Sequence, residues 1–120
     1  MAVRAIRGAT QVDADDREQI LDATRELVSA VMERNELDRE HVISILFTAT
    51  PDLVSEFPAL AAREIGFGDV PLMCASEIDV PHALPRVLRL MAHVETERPR
   101  SEIQHVYLRG AVALRRDIAQ

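Results

Sequence analysis

A few residues carry charge or a phenol where a β-rich chain ordinarily places apolar groups. Arg7, Arg89 and Tyr107 fall on stretches that read as strands, and Glu77 and Arg115 fall at strand ends. A charged group on a buried strand needs a partner or a ligand, because burying it alone is costly. A guanidinium is a planar fork that grips a carboxylate through two hydrogen bonds. The pattern alone allows an anion site without requiring one. All 14 basic residues are arginines, and other readings stay open for some of them. Arg7 is equally read as a solvated edge charge, and Arg63, in the last turn of a short helix, as a complement to the helix dipole. The sequence contains no catalytic triad, phosphate loop, dinucleotide fingerprint or zinc motif. The lone Cys74 makes neither an internal disulfide nor a four-thiolate zinc site. A buried cysteine usually acts as a small apolar residue. His41, His82, His93 and His105 lack metal-ligand spacing. No metal and no cofactor is expected.

These residues need elements to hold them. Residues 2 to 10, AVRAIRGAT, read as a strand with Val3, Ala5 and Arg7 on one face and Arg4 and Ile6 on the other. Gly8 permits a close backbone approach or a bulge. Residues 15 to 34 read as a helix, capped by Asp13 or Asp15, with Ile20, Thr24, Leu27, Val28 and Val31 as its apolar stripe. Residues 42 to 49 read as a buried strand, rich in β-branched and large apolar side chains. Pro51 ends it, and Thr48, Thr50 and Asp52 offer turn chemistry. Ser55 is placed to cap a second helix, about 57 to 65, with Pro58 in its first turn and Gly66 and Gly68 at its end. Residues 70 to 76 read as a third strand carrying Cys74, and Glu77 stands at its end.

Residues 84 to 95 fit a helix through Leu84, Val87, Leu88 and Met91. They fit a strand through Leu88, Leu90, Ala92 and Val94. Period alone leaves both open. The segment QHVYLRGAVALRR reads as a last strand. It turns Val106, Leu108, Val112 and Leu114 one way and His105, Tyr107, Arg109 and Ala111 the other. With the ambiguous segment taken as a strand, the order β-α-β-α-β-β-β gives an α/β (α+β) fold, a mixed sheet with helices on one face. No helix remains for the other face, which another subunit is expected to cover.

The chain has 120 residues, one domain's worth, so 1–120 reads as a single domain. A domain of this size buries roughly two thirds of its unfolded surface. That leaves little room for an enclosed site with a lid, and favours a site between subunits. Apolar residues make up 48% and charged residues 28%, ordinary values for a globular protein. No apolar run approaches the roughly 20 residues that span a bilayer. The start, MAVRAIRGAT, lacks an apolar stretch of signal-peptide length, so a cytoplasmic address is expected. The net charge of −6 disfavours binding to nucleic acid or an anionic membrane.

Five blocks carry a resemblance to a known family. VRAIRGAT, LFTATPDL, FPALAAREIG, CASEIDV and HVYLRGAVALR stand in the order and spacing of the monofunctional chorismate mutases of the trimeric α/β-barrel type, from residue 3 to 117. Each block alone is weak; the combination is specific. The family's Arg7, Phe57, Arg63, Cys74, Glu77, Arg89, Tyr107, Leu114 and Arg115 are all present here. Leu60 stands where relatives are often basic, and Met73 where they often carry a small polar residue. The tail ends at Gln120, shorter than in some relatives.

The resemblance implies a strand over 84 to 95 and a five-stranded mixed sheet in a pseudo-barrel homotrimer, with active sites at the subunit interfaces. It implies conversion of chorismate to prephenate by an intramolecular Claisen rearrangement in the synthesis of phenylalanine and tyrosine, without cofactor or covalent intermediate. Arg89 would be the cation at the ether oxygen. Arg7 and Tyr107 would hold a carboxylate, and Glu77 would accept a hydrogen bond from the ring hydroxyl. Cys74 would line the ring pocket beside Glu77. Phe57 and Leu114 would pack on the ring, and Ala59, Leu72 and Met73 would line the pocket. Arg63 and Arg115 would stand at its entrance. A second class of function is open. Similar trimers include imine-hydrolysing and ligand-binding proteins, and a non-catalytic binder of small carboxylates would keep the arginines. Such a binder needs neither an ether-oxygen cation nor a hydroxyl acceptor, so Arg89 together with Glu77 favours the mutase.

Overall fold

The strand β4 (Val87–Thr96) forms the centre of a five-stranded sheet, with β2 (Val42–Ala49) and then β3 (Leu72–Ser76) on one side and β1 (Ala2–Gln11) and then β5 (Val106–Tyr107) on the other, in a computed structural model that describes residues 1–114. Leu88, Leu90, Ala92 and Val94 of β4 are buried, while Arg89, Met91 and His93 alternate with them on the other face. The segment that fitted two periods is thus a strand. Its leucines and valine meet apolar partners only at a spacing of two.

On one side β4 pairs antiparallel with β1 (Ala2–Gln11), which places Arg7 opposite Met91 and Ala9 opposite Arg89. On the other it pairs antiparallel with β2 (Val42–Ala49), which places Thr48 opposite Arg89. The edges are parallel additions, β3 (Leu72–Ser76) beside β2 and the two-residue β5 (Val106–Tyr107) beside β1. The sheet is mixed, as expected.

The helix α1 (Arg17–Arg34) packs on one face of this sheet through Ile20, Ala23, Thr24, Leu27, Val28 and Val31, all buried. Its cap is Asp16, whose carboxylate accepts the Gln19 amide hydrogen at 3.0 Å. The expectation of Asp13 or Asp15 is corrected by one register step. The Gln19 side chain occupies the Asp13 and Ala14 amides at 3.1 Å, and Asp15 serves another loop. A Cβ on Gly8 would stand 3.2 Å from Leu27 and 3.3 Å from Leu90. The β1–β4 register runs unbroken through it. Gly8 therefore serves close helix-to-sheet approach and makes no bulge.

The second helix, α2 (Pro58–Ala62), is short and lies on the same face. Its buried residues Ala59, Ala61 and Ala62 are small enough to let it sit close to its neighbours. It widens into a π turn over Arg63–Phe67 and stops at Gly66, whose φ of +108° suits glycine. Ser55 does not cap it. The residue before the helix is Phe57, and the Ser55 hydroxyl donates to the Asp15 backbone carbonyl instead. The core lies between helices and sheet and includes Ile6, Leu27, Ile45, Phe47, Leu90 and Val94.

The last strand is shorter than its alternation implied. Leu108 still bonds through its amide to the Ala9 carbonyl at 2.9 Å. Arg109 then turns to φ +53°, and Arg109–Ala113 coils into a 3-10 turn. Gly110 lies so close to the Gln11 side chain that any Cβ would collide with it. Ala111, read as facing with Tyr107 along a strand, is instead folded back into a cluster with Ala9, Val87 and Tyr107. Among the described residues no helix is long and apolar enough to cross a membrane.

Candidate active site

The sheet face away from the helices is where the expected chemistry collects. Strand alternation and the pairings above put Arg7, Ala9, Leu46, Thr48, Arg89, Met91 and Tyr107 on this one face. Arg7, Glu77, Arg89 and Tyr107 line a single cleft of about 200 Å³, floored by Leu46 and Met91. Glu77 reaches it from the end of β3, its amide donating to the Ala49 carbonyl at 2.9 Å. The Thr48 hydroxyl donates to Glu77 Oε2. Arg89 Nε lies 3.8 Å from that same oxygen, an ion pair too long for a hydrogen bond.

Arg89 is divided in its exposure. Its side chain is 42% exposed, yet Nε itself is shut off from solvent and has no hydrogen-bond partner among the described residues. A buried donor without an acceptor costs free energy unless something fills the gap. Arg89 and Arg7 both line the cleft. Tyr107 is 3% exposed and braced by Ala9, Val87 and Ala111, with Leu84 and Leu114 behind. The Arg7 amide donates to His105 Nδ1 at 3.0 Å, which ties β1 to the segment entering β5.

The remaining expected residues gather elsewhere. Phe57, Ala59, Arg63, Leu72, Met73 and Cys74 line a second cleft, of about 360 Å³, at the β3 edge. Cys74 pairs with Phe47 on the helix side of β3, whereas Met73 pairs with Leu46 on the open side. Within one chain Cys74 and Glu77 therefore line different clefts. Leu114 packs in the cluster behind Tyr107 and does not line either cleft. Arg115 lies outside the described residues. A third cleft of about 370 Å³ shares Phe57 and Cys74 with the second, but among the described residues its lining contains Glu56 and no cation, so it suits a dianion poorly.

The loop that presents Phe57 is latched to the start of α1. Asp15 Oδ1 accepts the Val54 and Ser55 amide hydrogens at 3.0 Å. Arg17 bonds Glu56 at 2.9 Å, and Glu56 in turn accepts the Phe57 amide hydrogen. Desolvation pushes the Asp15 carboxyl up, but the Ser55 hydroxyl and the two amides outweigh it and hold it below its ordinary value. The Phe57 amide, against desolvation and with help from Arg17, lowers Glu56 likewise.

Sequence reasoning missed Thr48 and Asp15. Thr48 offers turn chemistry in the sequence, but its alternation with Phe47 puts it on the Leu46 face of β2. Asp15 was read as a cap, and no spacing pointed to a loop some 40 residues on.

The chain is similar to proteins of known activity along nearly its whole length. The model of the family described as chorismate mutase type I matches residues 3–118. The chorismate mutase AroH of Thermus thermophilus is 49% identical over 117 residues, which cover 97% of this chain and 96% of that protein. The chorismate mutase AroH of Bacillus subtilis (strain 168) is 43% identical over 120 residues, 99% of this chain and 94% of that protein. A solved chorismate mutase from Clostridium thermocellum is similar with a TM-score of 0.90 and 44% identity, over 92% of this chain and 98% of that one.

Proposed function

The chain belongs to the chorismate mutase type I family, and from that premise we propose how its two clefts perform the conversion of chorismate to prephenate. The protein is an isomerase of aromatic amino-acid synthesis. Its reaction breaks a C–O bond and forms a C–C bond within one molecule, so it calls for no nucleophile and no proton transfer. C–O cleavage runs ahead, and negative charge grows on the ether oxygen. A cation fixed there beforehand lowers the barrier, because it costs no reorganisation as the charge appears.

Arg89 is that cation. The observation that carries the assignment is its enclosed, unpartnered Nε–H in a cleft shared with Arg7, Tyr107 and Glu77. Arg7 and Tyr107 hold a substrate carboxylate and select the folded, reactive conformer. Glu77 accepts a hydrogen bond from the ring hydroxyl. Phe57, Ala59, Leu72, Met73 and Cys74 supply the apolar wall, and Arg63 with Arg115 draws the dianion in.

The Arg89 cleft is too small to be the whole site. The Arg89 cleft, at about 200 Å³, is smaller than the roughly 300–1,000 Å³ of typical ligand sites. Its open sheet face exposes Val3 (59%), Met73 (68%), Leu46 (39%) and Met91 (37%). An apolar patch of this kind marks a contact surface. We assign it to further copies of the chain, in a homotrimer where the Arg89 cleft of one copy meets the β3-edge cleft of the next. There Cys74 and Glu77 come together across the boundary. A cytoplasmic location fits this biosynthetic role.

The direct test is to follow chorismate absorbance after adding purified protein and to identify the product. Loss of absorbance with prephenate as sole product is expected. Unchanged chorismate at micromolar enzyme would contradict the reading, and tight binding without turnover would favour a carboxylate binder.

A further inference from the structure

We propose that Thr48 is a positioning residue for this reaction: its hydroxyl holds the Glu77 carboxylate off Arg89 and keeps it from taking the Arg89 Nε–H. The inference rests on the roles assigned above to Arg89 and Glu77.

Two groups compete for one oxygen. Glu77 Oε2 accepts the Thr48 hydroxyl hydrogen, and Arg89 Nε stands 3.8 Å from it. The Glu77 side chain is 30% exposed, so packing alone does not fix it. Free of Thr48, the carboxylate needs a shift of only about 1 Å to reach the distance of a charge-assisted hydrogen bond to Nε–H. That contact would harm catalysis twice. It would occupy the donor meant for the ether oxygen and offset its charge. It would also turn the acceptor away from the ring hydroxyl.

The sheet makes Thr48 suited to prevent this. Thr48 is the β2 residue directly across from Arg89, and the Ala49 carbonyl beside it binds the Glu77 amide at 2.9 Å. Both ends of the Glu77 residue are thus tied to neighbouring positions on one strand. Threonine is stiff at χ1, which gives the hydroxyl a set direction. Valine at 48 would keep the shape and the strand preference and remove only the donor.

The experiment is steady-state kinetics on Thr48→Val, Thr48→Ser and Thr48→Ala, with the first repeated in a Glu77→Gln background. Losing a hydrogen bond to a charged group is worth roughly tenfold or more, so Thr48→Val is expected to lower kcat about tenfold while KM moves less. Thr48→Ser should restore most of the turnover. In the Glu77→Gln background the same valine should cost less than about twofold, because a neutral amide is not drawn to the guanidinium. A general packing defect would cost the same in both backgrounds and would not be repaired by serine. Thr48→Ala stands in if the valine variant folds poorly, and the same pattern is expected of it. Thr48→Val at wild-type kcat, or equal losses in the two backgrounds, would overturn the inference while leaving Arg89 and Glu77 in their roles. Wild-type turnover in variants of Arg89 and Glu77 themselves would overturn those roles, and this inference with them.

Discussion

At the residue scale the account turns on a division of labour between two arginines. In the proposed roles Arg7 and Tyr107 act on a group charged throughout the reaction, so they would bind ground state and transition state nearly alike. Arg89 would meet charge that exists only on the way over the barrier. The difference is measurable. Arg7→Ala should raise KM by the larger factor. Replacing Arg89 with citrulline keeps shape and donors and removes the charge, so kcat should fall by at least the roughly 100- to 1,000-fold seen when one oxyanion donor is lost. KM should rise less than kcat falls. Turnover within tenfold of wild type in the citrulline enzyme would mean that confinement of the substrate, and not charge, does the work. Much of this site is legible in the sequence, because charged residues on apolar strands stand out and the family blocks give them roles. Thr48 was not, since a threonine on a strand looks ordinary until its cross-strand partner is known.

At the element scale the regular parts were the readable ones. The stripe of α1 and the alternation of β1 and β2 follow from periodicity over long segments. The ends follow from competition among near-equal neighbours. Asp13, Asp15 and Asp16 are equivalent as caps until Gln19 and the Ser55 loop each claim a partner. Past Tyr107 an alternating pattern over few residues was outweighed by a positive φ at Arg109 and the fit of Gly110 against Gln11. The Asp15 latch has a consequence in acid. Asp15 and Glu56 have folded pKa values below their ordinary 3.8 and 4.5, so the unfolded chain takes up their protons first as pH falls. The stability they lend is complete above about pH 4.5 and is lost as pH drops through the lowered values. Melting curves of wild type and Asp15→Ala should differ at pH 7 and draw together as the pH falls below 3.8. A gap of constant size across that range would show that the latch owes nothing to ionisation.

At the scale of the whole molecule, the fold does one thing per face. One face takes both helices and the core; the other presents charge within an apolar surround. The sequence order implied this by leaving one face without a helix. It did not imply that the expected site residues divide into two groups, since that division depends on which way Cys74 and Met73 point at an edge strand. If the two clefts meet between chains, a mixture of variants impaired in different clefts should regain activity. Arg89→Ala damages one cleft and Arg63→Ala the other. When the two are coexpressed and assemble at random, about a quarter of interface sites should draw an intact Arg89 cleft from one chain and an intact Arg63 cleft from the next. The mixture should therefore regain about a quarter of wild-type kcat/KM, in particles with a mass near three chains. Activity no higher than the average of the two parent variants would contradict the account and place each site within a single chain.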